Sequence, residues 1–494
     1  MTLTRRSFLI SSAGAAVATV TQTCAGLPLF PSGQQLAADI LRPQYHLLPA
    51  ENWMNDPNGP IYWNGQYHVF FQYNPDGAFW GDMHWAHAMS PDMVYWKHLP
   101  IALAPSRGGP DQDGCFSGSA VVDHKIATIL YTGVAASPPD KATLRDGQHD
   151  FRETQCLATS TDPELRSWQK VSQPVIESPP AGLHVTGFRD PCLWNEGDTW
   201  YVAIGSGLAK QGGAILLYRS ADLRRWEYVH PLYSGEWTGR VDPNPVDSGE
   251  MWECPDFFAL AGRHVLLYST ERKVYWMVGE CDLKELKFHP QKRGLLDSGD
   301  YYAPKSMLDH DGSRILWGWI PETRARSEYK AAGWAGVMAL PRVLTVDDSG
   351  ELEMQVVPAL NGLRGKVQTD TNALYFPNFS AELAATFLPS KPFAVALGPD
   401  VRPYVRIGYE PAKAALTIND RRVPLATARA DKMKLNVFMD GSVIEVFVAN
   451  RQAHTLRVYA LDSASPNTPV RVSGTLNDVR LWPMAPISND RLTT

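Results

Sequence analysis

Three short segments place an acidic residue among aromatic, proline and amide neighbours. They are Trp53-Met54-Asn55-Asp56-Pro57-Asn58-Gly59, Phe188-Arg189-Asp190-Pro191 and Trp252-Glu253-Cys254-Pro255-Asp256. A solvated surface loop rarely needs such residues around a carboxylate. Carboxylates gathered in an aromatic, neutral-polar pocket are the groups that cleave a glycosidic bond. The three segments therefore predict glycosidase chemistry, provided that the fold brings them together.

The neighbours of each acid indicate its role. A retaining glycosidase needs an ionised carboxylate as nucleophile and a protonated acid that assists the leaving group. The segment Asn55–Gly59 surrounds Asp56 with hydrogen-bond donors, which favours an ionised nucleophile. Glu253 has tryptophan, cysteine and proline neighbours that solvate a charge poorly, so we expect it to be the acid and then the base. Because Arg189 is adjacent, we expect Asp190 to stay ionised. Asp190 would then bind sugar hydroxyls more strongly as positive charge develops in the ring.

A repeated turn-and-strand pattern indicates how these distant acids meet. Five polar turns each precede an apolar β-type run, and a second signal, a Ser- or Cys-led segment ending in Trp or Phe, keeps the same spacing. The turns are Asn64-Gly65, Asp123-His124-Lys125, Gly197-Asp198, Ala261-Gly262 and Asp311-Gly312. A period of roughly 50 to 70 residues suits one four-stranded blade of a β-propeller. The alternative is a chance recurrence of hairpins in a β-sandwich.

The expected fold class is all-β, a five-bladed β-propeller followed by a C-terminal β-sandwich. We place the propeller at residues 40–348 and the sandwich at residues 360–487. The alternating strands Met433–Phe438 and Ser442–Val448, on either side of an Asp-Gly turn, support the second domain. In the propeller, each acid precedes its turn by seven or nine residues, near the start of a blade's first strand. First strands line the central channel, so the three acids are expected at equivalent positions of one funnel.

Composition and the N-terminus limit the class of protein. The 494 residues carry a formal net charge of -6 without a basic stripe, which argues against nucleic acid as a partner. Residues 1–30 read as a twin-arginine signal peptide because Thr4–Leu9 contains Arg5-Arg6 before a mildly apolar run. That run is too short for stable membrane insertion. We therefore expect export to the periplasm or the exterior; a disordered basic N-terminus is the alternative, and the cleavage site is open.

The motifs resemble those of glycoside hydrolase family 32, the invertase, inulinase and levanase family, over nearly the whole mature chain. Trp53–Gly59 is similar to that family's nucleophile motif, Arg189–Pro191 to its transition-state-stabiliser motif and Trp252–Cys254 to its acid/base motif. Further similar segments are Phe71–Pro75, Trp80-Gly81, Phe116–Ser119, Gly333–Gly336 and Pro341-Arg342. Trp252–Phe258 and Trp317–Trp319 are similar to the plant cell-wall type of invertase and fructan exohydrolase. The resemblance implies a five-bladed propeller with a C-terminal sandwich that hydrolyses terminal β-D-fructofuranosyl residues with retention.

The resemblance also supplies candidates for holding the substrate. These candidates are Trp53, Asn55, Gln72, Trp80, Phe116, Ser117, Arg189 and Tyr302. Core packing is the alternative for Trp80 and Phe116. No cofactor and no metal are expected, and we interpret His84 and His87 as packed or hydrogen-bonded because no third ligand is near. Lys305 departs from many relatives, which leaves the outer subsites open.

Several functional alternatives share this site. A fructosyltransferase passes the same fructosyl-enzyme intermediate to a sugar, and an arabinan- or xylan-cleaving propeller has three acids but lacks the Asn55–Gly59 context. A non-catalytic fructan-binding protein predicts the loss of an acid, yet all three are present. The preference among sucrose, levan and inulin, the oligomeric state and a bridge such as Cys115 to Cys156 stay open.

Overall fold

The computed structural model describes residues 31–145, 148–425 and 432–493, and its regular structure is almost entirely β-strand. The predicted signal peptide, residues 1–30, lies outside the described residues. The α-helices in the described part are α1 (Gly33–Ala38) and α2 (Arg326–Ala332). Neither these nor any other described helix has the length and apolar character needed to cross a membrane.

Residues 52–356 form five sheets whose strands are almost all antiparallel. The first contains β1 (Asn52–Trp63), β2 (Gln66–Asn74), β3 (His84–Ser90) and β4 (Lys97–Leu103). The second contains β5 (Gly114–Asp123), β6 (Ile126–Ala136), β7 (Leu144–Arg145), β8 (Asp150–Ser160) and β9 (Gln169–Lys170). The third contains β10 (Val185–Glu196), β11 (Thr199–Leu208), β12 (Gly212–Ser220) and β13 (Glu227–Ser234). The fourth contains β14 (Glu253–Leu260), β15 (Arg263–Thr270), β16 (Lys273–Asp282) and β17 (Lys287–Asp297).

The fifth sheet closes the circle. It contains β18 (Tyr302–Leu308), β19 (Arg314–Ile320), β21 (Val337–Met338), which pairs with β19, β22 (Arg342–Val346) and β23 (Leu352–Val356). The short strand β20 (Trp334–Ala335) lies between β19 and β21 in the chain but joins the first sheet, where it pairs in parallel with β1. The first strands β1, β5, β10, β14 and β18 each contact the next, and β18 contacts β1. The five predicted turns each join the first strand of a sheet to its second. The predicted propeller is therefore confirmed.

The C-terminal part is a β-sandwich, as predicted. Its strands are β24 (Tyr375–Phe376), β25 (Ser380–Phe387), β26 (Phe393–Leu397), β27 (Val405–Glu410), β28 (Ala415–Ile418), β29 (Arg421–Pro424), β30 (Met433–Asp440), β31 (Val443–Val448), β32 (Gln452–Arg457), β33 (Thr468–Gly474) and β34 (Asn477–Pro483). One layer is β32-β31-β30-β25-β34 and the other is β24-β33-β26-β27-β28-β29. Buried aliphatic side chains such as Leu383, Ile407 and Val437 fill the space between the layers.

The propeller and the sandwich share a buried ionic junction. β17 pairs with β32, so the fourth propeller sheet continues into the first layer of the sandwich. At this junction Arg342 Nη2 donates to Asp297 Oδ2 at 3.0 Å and to Glu445 Oε2 at 2.6 Å, with all three side chains fully buried. His46 also contacts Glu445 there, at 3.1 Å, and Asp440 at 2.8 Å. The positive groups satisfy the buried carboxylates of both domains.

We expect the folded protein to lose stability in mild alkali because of His46. Burial lowers the pKa of His46, but its bonds to Asp440 and Glu445 outweigh this effect and raise the pKa to about 8. A raised folded-state pKa contributes stability that is present below about pH 6.5 and is lost as pH rises through about 8. We expect this loss to be about 2 kcal/mol. Urea unfolding of the parent and of His46→Gln at pH 6 and 9 measures it, and an equal pH dependence in both proteins would contradict it.

Candidate active site

The innermost strands share a β-bulge close to their N-terminal ends. The pairing of β10 with β11 skips between Arg189 and Cys192, that of β14 with β15 between Glu253 and Asp256, and that of β18 with β19 between Tyr302 and Lys305. Within these skips Asp190, Cys254 and Ala303 have φ angles of 64°, 47° and 51°. Each of them is followed by a proline, which a strand tolerates at an edge or a bulge. A bulge re-aims side chains, so two consecutive residues face the channel.

The bulge explains why one positional prediction was wrong. Asp56 and Asp190 each stand one residue before the proline of their strand, whereas Glu253 stands two residues before it. We expected the three acids at equivalent positions of their strands, but Glu253 lies one residue earlier than the other two relative to the proline. Glu253 still reaches the others because the bulge presents both positions to the axis.

The acids line one open cavity of about 830 Å³ at the N-terminal ends of the innermost strands. The predicted residues in its wall are Asn55, Asp56, Gln72, Trp80, Phe116, Ser117, Arg189, Asp190, Glu253 and Tyr302. Trp80 is 55% exposed at the mouth, which excludes core packing for that ring. Trp53 does not line the cavity. Its Nε1 donates to Asn55 Oδ1 at 2.8 Å and its ring packs against Trp319 and Tyr329, so it orients Asn55.

Other wall residues had no assigned role. They are Gly81, Asp82, Met83, Asp113, Val134, Leu144, Arg145, Phe151, Pro243, Asn244 and Trp319. Trp319 and Asp113 lie in or beside motifs visible in the sequence. Leu144, Arg145 and Phe151 come from the outer part of the second sheet, where no local pattern indicates a site.

Asp56 is half-buried and receives its main hydrogen bond from the second sheet. Ser117 Oγ donates to Asp56 Oδ2 at 2.7 Å. Burial raises the pKa of Asp56, the hydrogen bonds of Ser117 and Asn55 lower it, and the Glu253 charge raises it again, leaving a net increase. Asn58, expected to donate to Asp56, instead accepts from Gln72 Nε2 at 3.0 Å and donates to Ser117 Oγ at 3.3 Å. Asn58 therefore supports the donor rather than the acid.

Cys254 connects Asp190 with Asp56. The Cys254 backbone N–H donates to Asp190 Oδ2 at 2.9 Å, and the thiol lies 3.5 Å from that oxygen and 3.7 Å from Asp56 Oδ2. Burial raises the pKa of Asp190, Arg189 lowers it and the Glu253 and Asp56 charges raise it, to about 7. Arg189 favours the ionised form of Asp190, as expected, but burial and the two neighbouring acids outweigh its effect on the pKa. Three carboxylates of one sign in one cavity retain a proton near neutral pH.

Glu253 is held by an arginine and a tyrosine rather than by apolar side chains. Arg189 Nε and Nη2 donate to Glu253 Oε1 at 3.0 and 2.8 Å, and Tyr302 Oη donates to Oε2 at 2.7 Å. The Trp252 ring stacks on Tyr268 with centroids 3.9 Å apart, between the third and fourth sheets. The predicted apolar surroundings of Glu253 were therefore wrong. Arg189 faces it instead, and Arg189 Nε lies 4.0 Å from Asp190 Oδ2.

Glu153 is a functional neighbour that sequence reasoning missed. It is fully buried on β8, where Oε1 accepts from Arg189 Nη1 at 2.8 Å and Oε2 accepts from the Phe188 backbone N–H at 2.8 Å. No local signal marked it, because Glu153 lies in the polar stretch Arg152–Gln155. Glu153 orients the guanidinium that contacts Glu253.

The structure shows the surroundings of the two histidines considered as a metal pair and of the two cysteines considered as a disulfide. His87 Nε2 contacts His68 Nδ1 at 2.9 Å and stacks on Phe70, while His84 Nδ1 contacts the Asp82 carbonyl at 2.9 Å. Across residues 31–145, 148–425 and 432–493, no three His, Cys, Asp or Glu side chains are arranged as a metal site. Cys115 and Cys156 are both free thiols, so the considered bridge is absent from these ranges.

Comparisons with known proteins agree with this geometry. The family model for the glycosyl hydrolases family 32 N-terminal domain matches residues 46–356, and that for the family 32 C-terminal domain matches residues 362–483. A sucrose-6-phosphate hydrolase of Escherichia coli is 34% identical over 83% of this chain and 87% of its own length. A cell-wall β-fructofuranosidase of Zea mays is 36% identical over 67% of this chain and 58% of its own.

Solved structures show the same fold. A mutant β-fructofuranosidase of Bombyx mori in complex with sucrose superimposes with a TM-score of 0.77 and 28% identity, over 92% of this chain and 96% of that one. Fructan 1-exohydrolase IIa of Cichorium intybus gives a TM-score of 0.73 and 26% identity, over 90% and 98%.

Proposed function

The chain belongs to glycosyl hydrolase family 32, and we propose that it releases terminal β-D-fructofuranosyl residues from sucrose, fructans or both through a covalent fructosyl-enzyme intermediate. The observation that carries the proposal is the convergence of Asp56, Asp190 and Glu253 on one cavity, with Cys254 contacting two of them. Relatives described as β-fructofuranosidase and raffinose invertase support the substrate class.

The proposed reaction has two displacements. Asp56 attacks the anomeric carbon while protonated Glu253 gives its proton to the departing glycosidic oxygen. Water then attacks the fructosyl carbon, its proton passes to Glu253, and the bond to Asp56 breaks. Two inversions give retention, so the first fructose released is the β-furanose.

The other polar groups hold the reacting groups in place. Ser117 fixes the Asp56 carboxylate at 2.7 Å, which leaves its second oxygen for attack. Arg189 and Tyr302 hold the Glu253 carboxyl from both sides. Asp190 binds sugar hydroxyls, and its interaction strengthens as the ring becomes oxocarbenium-like.

We further propose that the substrate is an unphosphorylated sugar, although three of the similar relatives are sucrose-6-phosphate hydrolases. Five acidic side chains line the cavity: Asp56, Asp82, Asp113, Asp190 and Glu253. The cationic side chains among the described wall residues are Arg145 and Arg189, and both already pair with acids, Asp150 at 3.2 Å and Glu253 at 2.8 Å. A phosphate dianion therefore meets repulsion in this cavity.

A substrate panel tests both parts of the proposal. We expect fructose release from sucrose, with kcat/KM for sucrose-6-phosphate lower by about tenfold or more at low salt. Added salt raises kcat/KM for the phosphate by screening repulsion and leaves sucrose unchanged. Inulin and levan are the other substrates of the panel. NMR identifies the anomer of the first fructose that is released. Preference for sucrose-6-phosphate contradicts the charge argument, and oligosaccharide growth exceeding free fructose at high sucrose favours a fructosyltransferase.

We also propose a non-catalytic role for the sandwich, because the acids lie within the innermost propeller strands.

We propose that the protein is exported by the twin-arginine route, as the segment Thr4–Leu9 supports. Arg5→Lys combined with Arg6→Lys is expected to retain activity inside the producing cell, as fractionation measures.

A further inference from the structure

Lys305 is buried beneath the acids rather than at the outer subsites. It is 1% exposed, although a lysine is rarely buried without compensation. Its Nζ donates to the Pro255 carbonyl at 2.7 Å and approaches the Asp190 carbonyl at 3.5 Å. Both carbonyls belong to bulges, where the ladder between neighbouring strands is interrupted. One ammonium group on the fifth sheet thus satisfies backbone groups of the third and the fourth.

Lys305 also lies in the wall of a second cavity. This cavity, about 470 Å³, is formed by the C-terminal halves of the innermost strands, on the side of the ring away from the acids. Asp256 and Arg314 share its wall with Lys305. Asp256 is 5% exposed, and Lys305 and Arg314 oppose the increase in its pKa that burial causes. The cation is therefore placed between the active-site cavity above and a buried carboxylate below.

We propose that Lys305 is a positioning residue for the reaction, an inference that rests on the proposed function. Its ammonium group fixes the bulges that aim Asp190 and Glu253, and it lies beneath the cavity that they line. Both bulges contain a residue with a positive φ angle, 64° at Asp190 and 47° at Cys254. Backbone in that region persists only when its surroundings hold it, and a charged donor to its carbonyls does so.

The charge of Lys305 acts on a thiol that contacts two of the acids. It opposes the increase in the pKa of the Cys254 thiol, which contacts both Asp56 and Asp190. The ionisable groups that face Asp190 from the adjoining strands are Asp56, Arg189, Glu253 and Cys254. Cys192, Asp256 and Arg314 face Lys305 from below. Removing the cation makes ionisation of the nucleophile harder, so the acidic limb of activity moves to higher pH.

Lys305→Met tests the role on sucrose. We expect kcat to fall by on the order of tenfold to a hundredfold, with KM within about threefold, because the two bulge carbonyls lose a charged donor. The acidic limb of kcat/KM shifts upward by about 0.5 pH unit or more. Lys273→Met is the matched control, because Lys273 Nζ also donates to two carbonyls, Ser298 and Gly299 at 3.2 Å, far from the acids. It should leave kcat and the pH profile unchanged.

Charge-specific rescue separates positioning from packing. Lys305→Ala removes a propylammonium-sized fragment next to the lower cavity, so n-propylammonium should restore kcat and n-propanol should not. Rescue by both or by neither overturns the proposal, as does a Lys305→Met enzyme with normal kcat and pH profile. If Lys305→Met fails to fold, Lys305→Met with Asp256→Asn removes the buried charge left behind and is assayed in its place.

Failure of the proposed function is distinguishable from failure of this inference. A parent enzyme that releases no fructose from any fructoside overturns the proposed function. Crystal structures of the parent and of Lys305→Met still test whether Lys305 holds the two bulges in place. Loss of the 2.9 Å contact between Cys254 N and Asp190 Oδ2 in Lys305→Met supports it. An unchanged bulge overturns it.

Discussion

Replacing Asp56 by asparagine is expected to lower kcat for sucrose by on the order of 10⁴-fold. Asparagine keeps the size of the side chain and still accepts from Ser117 Oγ, which now lies 2.7 Å from Asp56 Oδ2. What it loses is the ability to form the covalent intermediate. Initial rates of fructose release measure the effect, and KM changes little because the contacts to the bound sugar remain.

Two controls make the Asp56 result interpretable. Asp123→Asn removes a carboxylate from the hairpin at the other end of the innermost strand β5 and should keep normal turnover. The Asp56 charge helps to raise the pKa of Asp190, so Asp56→Asn should also lower that pKa, as carboxyl NMR shows. Near-normal turnover in Asp56→Asn would mean that another group is the nucleophile.

Glu253→Gln is expected to lower kcat by roughly 10²- to 10⁴-fold, the range for a lost general acid. The glutamine amide oxygen still accepts from Arg189, so the shape of the site is retained. The defect should shrink for an aryl fructoside, whose leaving group departs without protonation. Comparison of sucrose with such a substrate therefore distinguishes a lost proton donor from a distorted site.

Glu227→Gln is the matched control for this substitution. Glu227 also pairs with an arginine, Arg219 at 2.9 Å, but on the exposed outer strand β13. It should leave both substrates unaffected. An equal defect on sucrose and on the aryl fructoside in Glu253→Gln would contradict the acid role.

Local patterns were sufficient to predict the architecture. Asn64-Gly65 and Asp311-Gly312 are turns whatever surrounds them, because glycine adopts the positive φ angle that such turns need, 81° and 80° here. Five such turns at a regular interval implied five sheets, and a ring of sheets implied that their first strands converge. The convergence of the three acids follows from that topology, whereas the seven other predicted side chains around the cavity came from the family resemblance.

Local sequence patterns could not predict the contacts between different sheets. Arg189 stands next to Asp190 in sequence, yet its guanidinium bonds to Glu253 and Glu153 on two other sheets. The one-residue offset of Glu253 and the burial of Lys305 both depend on the bulges, which appear only when two strands are paired. Trp53 was a substrate-holding candidate from the family resemblance, but its ring is 8% exposed and packs against Trp319 and Tyr329.

The pairing of β17 with β32, through Asp297 and Ala453, bears on protein engineering. A chain cut after the propeller would leave Asp297 and Arg342 without Glu445 and open a strand edge to water. Such truncations should yield insoluble material unless those positions are redesigned together. Grafting the catalytic ring into another scaffold therefore requires transplanting both halves of the chain, and homologues that lack the second half must carry different residues at this seam.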